Sequence, residues 1–107
     1  MKTANKNIVI FDFDDTWTTN RSAFRAMRSM LVAFGYEAFL VTARDMNDPT
    51  NDQIFIDWSP EMVIFTEGEQ KISKLRDANF PIERIAFFID DSPESIPDLE
   101  WTERNLC

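Results

Sequence analysis

Two apolar runs in this chain end abruptly in acid. Ile8-Val9-Ile10-Phe11 is followed by Asp12, and Ile85-Ala86-Phe87-Phe88-Ile89 by Asp90 and Asp91. A run with no polar alternation has both faces covered, as in a parallel sheet flanked by helices. An acid directly after such a strand stands at its carboxyl end, where open α/β sheets bind their ligands. This pairing constrains the chain more than any other feature.

The remaining segments complete the pattern. Asn7 to Phe13 reads as the first strand, Ala38 to Thr42 as the second, Met62 to Thr66 as the third and Ile85 to Ile89 as the fourth. Arg21 to Phe34 reads as a helix with a Phe24, Met27, Leu31, Phe34 stripe, Asn20 as its N-cap and Gly35 as its stop. Asn51 to Trp58 is predicted as a short helix. Thr66 and Glu69 have capping-box spacing before a helix through Ala78. Ser92-Pro93 predicts a last short helix, cut or bent at Pro97. Alternating strands and helices predict a small, doubly wound, Rossmann-like α/β parallel sheet of four to five strands. The 107 residues form a single domain, 1–107, on this reading.

Composition removes most chemistries. There is no histidine, which excludes Ser-His-Asp triads and histidine-bearing zinc sites. Only two glycines, Gly35 and Gly68, leave no room for GxGxxG or Walker A loops. The single Cys107 permits no internal disulfide. Chemistry must therefore run on carboxylates, hydroxyls, Lys and Arg. Nineteen acids against 11 bases give net −8, against a large nucleic-acid footprint. An acidic excess also arises where carboxylates are gathered around a divalent cation. The apolar run after Lys2 and Lys6 is too short for a signal peptide, and no run approaches a membrane span. A cytoplasmic location is expected.

The strand ends carry Asp12, Asp14 and Asp15, then Thr42 with Arg44 beyond it, then Asp90 and Asp91. Lys71 falls in the first turn of the third helix. The order strand–DxDxT, strand–Thr, helix Lys, strand–DD resembles the haloacid dehalogenase-like phosphatases. The motifs are Asp12-Phe13-Asp14-Asp15-Thr16, Thr42, Lys71 and Asp90-Asp91. Thr42-Ala43-Arg44 and the step from Lys71 to Asp90 are most similar to the phosphatase half of polynucleotide kinase-phosphatases.

The resemblance implies a magnesium-dependent phosphomonoester hydrolase. Asp12 is the expected nucleophile, already ionised at neutral pH and so independent of a histidine base. Magnesium is expected on the Asp12 carboxylate, the Asp14 carbonyl and Asp90, with Asp91 as a further or water-orienting ligand. Asp14 is the expected general acid and base, its role set apart from that of Asp12 by environment. Thr42 and Lys71 are expected to bind and neutralise the phosphoryl group, with Arg44 as a second phosphate contact. Lys74 competes with Lys71 as the site lysine.

The sequence also departs from the resemblance. Asp15 replaces the small residue usual before Thr16. With 27 residues between Asp14 and Thr42 and 28 between Thr42 and Lys71, neither gap holds a cap domain. In the family it resembles, an uncapped site implies a bulky or macromolecular phosphomonoester, or a partner subunit acting as the lid; the candidate substrates are a nucleotide, a phosphorylated nucleic-acid end, a phosphosugar or a phosphoprotein. A short carboxyl end without a clear fifth strand leaves an edge that favours homo-oligomers.

Two other readings compete. A catalytically silent binding or regulatory module of the same fold is one. A receiver-like signalling domain is the other, disfavoured because Lys71 precedes the last strand. Arg21, Arg25 and Arg28 share one helix face, either as solvated charge or as a substrate or partner surface. Trp17 is read as pocket border or core.

Overall fold

The computed structural model describes residues 5–96. The bend at Pro97, a fifth strand, Lys2 and Cys107 lie outside the described residues. Four parallel strands form one sheet: β1 (Ile8–Phe11), β2 (Glu37–Thr42), β3 (Val63–Phe65) and β4 (Ile85–Ile89), in the order β3-β2-β1-β4. Two α-helices connect them, α1 (Arg21–Ala33) and α2 (Lys71–Asp77). The chain steps outward from β1 to β3, then returns to place β4 on the free side of β1.

The fold is thus the predicted doubly wound α/β sheet, without a cap among the described residues. Side-chain alternation along β1 feeds two cores. Ile8 and Ile10 join Val41, Ile85 and, from α2, Ile72 and Leu75. Val9 and Phe11 join Leu40, Trp17, Ile54 and Trp58, against which Phe24, Met27 and Leu31 of α1 pack. All four β1 side chains are buried, which is why the sequence shows no alternation there.

Helix α1 follows its signals. The Asn20 side chain accepts the Ala23 N–H at 3.0 Å. Gly35 takes φ +95°, and the Tyr36 N–H returns to the Leu31 carbonyl at 3.0 Å, closing the helix through a left-handed residue that glycine adopts without strain.

Three expectations require correction. The predicted helix over Asn51 to Trp58 is only a 3-10 turn at Asn51–Gln53 followed by irregular turns. So short a segment gains little from helix nucleation, and tertiary anchors decide its path. Ile54 and Trp58 insert into the core, while the Asn51 amide donates to the Asp45 and Met46 carbonyls. The Thr66–Glu69 capping box does not form. Glu67 (φ 54°) and Gly68 (φ 83°) turn the chain, and α2 begins at Lys71 without a side-chain cap. The last helix is a 3-10 turn, Pro93–Ser95. The strands β1 and β3 are also shorter than predicted: Phe13 lies in the turn after β1, and Met62 and Thr66 flank β3. Among the described residues no helix is long and apolar enough to cross a membrane.

Candidate active site

The adjacency of β1 and β4 builds the site. Their pairing runs through Phe11 opposite Ile89, and the Asp12 N–H extends it to the Ile89 carbonyl at 2.9 Å. Asp12 and Asp90, far apart in sequence, therefore leave the sheet side by side. One carboxylate oxygen each from Asp12, Asp90 and Asp91 lies within 4.8 Å of the others. Asp12 is buried, the Asp90 side chain is 2% exposed and Asp91 faces solvent.

The Lys71 ammonium, buried at the start of α2, donates to Asp12 Oδ1 at 2.8 Å and also to Asp90 Oδ2. Lys74 instead pairs with Glu69 at 3.3 Å on the surface. The structure thus brings Lys71, not Lys74, into the cluster. Three carboxylates against one ammonium leave an excess of negative charge in a half-enclosed place. Burial pushes the Asp12 carboxyl up to about 6. The Lys71 hydrogen bond and charge oppose that shift, while the Asp90 charge and a carboxyl contact with Asp91 add to it.

Thr16, a residue whose position in the motif carried no assigned role, ties the two acid loops together. Its hydroxyl lies 3.2 Å from Asp12 Oδ2 and 3.3 Å from Asp91 Oδ1, and it accepts the Asp91 N–H at 3.1 Å. One hydroxyl hydrogen serves only one carboxylate at a time, so Thr16 links whichever of the two needs a donor. The Ser92 N–H donates to Asp90 Oδ1 at 2.9 Å, orienting that side chain from its own loop. The signal for both lay in the letters flanking the acids: a hydroxyl closing each acid run.

A cavity of about 280 Å³ opens over the cluster, lined by Asp12, Asp14, Asp15, Lys71, Asp90 and Asp91 together with Ala43, Ser92 and Ser95. Thr42 ends β2 fully buried and stands outside that lining; its Oγ1 accepts the Arg44 N–H at 3.3 Å. Arg44, expected as a phosphate contact, is engaged elsewhere. Its Nε and Nη2 reach the two oxygens of Asp14, each at 2.9 Å, and its Nη1 reaches Thr50 Oγ1 at 2.8 Å. Asp14 itself is exposed at the cavity rim. Asp15 takes φ 60°, a left-handed turn that places the Thr16 hydroxyl between the loops.

The arginine stripe of α1 lies at a different cluster. Arg21 and Arg25 pair with Asp57 at 2.7 and 2.8 Å, and Arg28 donates to the Asp57 carbonyl at 2.6 Å. The Trp17 indole N–H donates to the same carboxylate at 3.0 Å. Trp17 is fully buried, so it is core rather than pocket border. The stripe holds the β2–β3 connection onto α1. Sequence reasoning missed this because the partners of Asp57 lie far away in sequence, on α1.

Comparison of the chain with family models, with curated proteins and with solved structures gives no match.

Proposed function

We propose that this chain is a magnesium-dependent phosphomonoester hydrolase of the haloacid dehalogenase-like kind, working through an aspartyl-phosphate on Asp12. The observation that carries the reading is the meeting of Asp12, Asp90 and Asp91 around the buried Lys71. Taken ionised, these four groups sum to two negative charges, and their hard oxygen donors suit a hard divalent cation. Magnesium would be held by Asp12, Asp90 and Asp91 with the Asp14 carbonyl, and would supply positive charge between the nucleophile and a phosphate dianion.

The side chains divide the remaining work. An Asp12 oxygen bonds to phosphorus as the bond to the leaving oxygen breaks, and Asp14 gives that oxygen a proton. Water then bonds to phosphorus, its proton passes to Asp14, and the Asp12–phosphorus bond breaks. Lys71 holds the Asp12 carboxylate in place and offsets its charge as the phosphate approaches. Thr42, fully buried and outside the cavity lining, is not placed to bind the phosphoryl group, and Lys71, which does line the cavity, is left with that role. The open rim fits a substrate whose body stays in solvent, such as a nucleotide or a phosphorylated nucleic-acid end.

Phosphate release from p-nitrophenyl phosphate, nucleotides, end-phosphorylated oligonucleotides and phosphosugars tests the reading. Turnover is expected with magnesium and not with EDTA, and not in Asp12→Asn. Full activity in that variant overturns it. Magnesium binding with no hydrolysis on any substrate favours the silent binding module instead.

A further inference from the structure

We infer that Arg44 is a positioning residue that holds Asp14 for the second half of the reaction, the hydrolysis of the aspartyl-phosphate. The inference rests on the reading above and assigns Arg44 a role other than phosphate contact.

The geometry leaves Arg44 little freedom to do anything else. Nε and Nη2 form a two-pronged contact with Asp14 Oδ2 and Oδ1, each at 2.9 Å. Nη1 donates to Thr50 Oγ1 at 2.8 Å, and Thr50 Oγ1 in turn donates to Asp48 Oδ1 at 2.7 Å. The guanidinium lies over the Phe13 ring, 5.0 Å from its centroid, while Arg21 lies 5.2 Å from the same centroid. Phe13 is fully buried, so it is a fixed platform between Asp12 and Asp14. The Arg44 side chain is only 14% exposed and does not line the cavity, whereas Asp14, 52% exposed, does. Arg44 thus reaches the chemistry only through Asp14.

The contact also selects which half of the reaction it serves. Both Asp14 oxygens accept from Arg44, so the carboxylate is presented as an acceptor. An acceptor is what the hydrolytic step needs: water bonds to phosphorus, its proton goes to Asp14, and the Asp12–phosphorus bond breaks. The fork fixes the acceptor's direction, and Thr50 and Phe13 fix the fork. Lys in place of Arg would keep the charge and lose the two-pronged geometry.

The experiment compares wild type, Arg44→Met and Arg44→Lys on p-nitrophenyl phosphate with magnesium, following steady-state kcat and KM and the pre-steady-state release of p-nitrophenol. Phosphorylated protein is trapped by rapid acid quench and measured by mass. Arg44→Met is expected to lower kcat by about 10²-fold with KM unchanged or lower. It should also convert a linear time course into a burst with accumulated phosphoprotein. Arg44→Lys is expected to recover part of kcat and to shrink the burst. A purely structural role would lower the melting temperature without a burst. A rise in KM with no burst identifies Arg44 as a phosphate contact and overturns the inference, as does unchanged kcat in a folded Arg44→Met. Asp12→Asn is the control for the underlying reading. If wild type shows no turnover, that reading fails and this one with it. If Asp12→Asn is dead and Arg44→Met shows no burst, only this one fails.

Discussion

Two charged clusters in this protein have opposite compositions. At Asp57, one carboxylate receives two arginines and a tryptophan N–H, with a third arginine on its carbonyl. At the strand ends, three carboxylates gather beside one lysine, which reaches only Asp12 and Asp90. The first cluster is saturated with donors. Burial alone raises the Asp57 carboxyl, but hydrogen bonds from Trp17, Arg25 and Arg21 and the Arg25 charge outweigh it and hold the group down at about 2. The second is short of positive charge, and burial wins, pushing Asp12 up to about 6. Desolvation met by few donors at Asp12, and outweighed by many at Asp57, separates a site under electrostatic tension from a structural rivet.

That contrast is open to attack from several sides. The largest effect is expected from Asp12→Asn, which should reduce magnesium-dependent phosphate release by at least about 10³-fold. Its unfolding midpoint in EDTA should stay level or rise, because the substitution removes a buried charge. A large loss of stability would show that the cluster is structural after all.

Asp57→Asn should do the reverse. It leaves three arginines crowded around a neutral amide, at a cost of about 3 kcal/mol by urea unfolding. If the variant folds at low temperature, kcat should be near wild type.

The two groups should also give opposite pH slopes. Asp57 titrates lower in the folded chain than in the unfolded one, so its contribution of about 2 kcal/mol is present above pH 4 and lost as the pH falls toward 2. Asp12 titrates higher when folded, so without magnesium its contribution, on the order of 3 kcal/mol, is present below pH 4 and lost as the pH rises through about 6. Unfolding in EDTA across this range, with and without each Asn substitution, separates the two. Added magnesium should flatten only the Asp12 limb.

The smallest effect concerns the turn between them. Asp15→Gly removes a side chain from a left-handed position and an acid from the rim. It should stabilise the chain by about 0.5–1 kcal/mol, read as a higher melting temperature.

Much of this was legible in the sequence wherever burial and local chemistry coincide. The run Ile8 to Phe11 had to be a covered strand and Ile85 to Ile89 a strand, although Phe87 on the edge strand β4 stays exposed, and acids after them had to meet at one end of a parallel sheet. Asn20 and Gly35 marked the ends of α1 because their signals act within a few residues. What escaped was set by partners distant in sequence. Asp57 looked like one acid among many until the fold brought Arg21, Arg25 and Arg28 to it. Arg44 offered a free guanidinium until Asp14 and Thr50 were placed. The predicted helix over Asn51 to Trp58 failed because Ile54 and Trp58 are positioned by the core rather than by local hydrogen bonds.

The position of β4 has a consequence for incomplete chains. Asp12 is synthesised before Asp90, and Asp90 joins it only when β4 docks beside β1. A fragment cut before residue 85 carries Asp12 and Lys71 without Asp90 and Asp91, so the carboxylate cluster cannot assemble. In this architecture the carboxylate cluster is assembled by completion: the strand that docks beside β1 is also the one that brings Asp90 and Asp91 to Asp12.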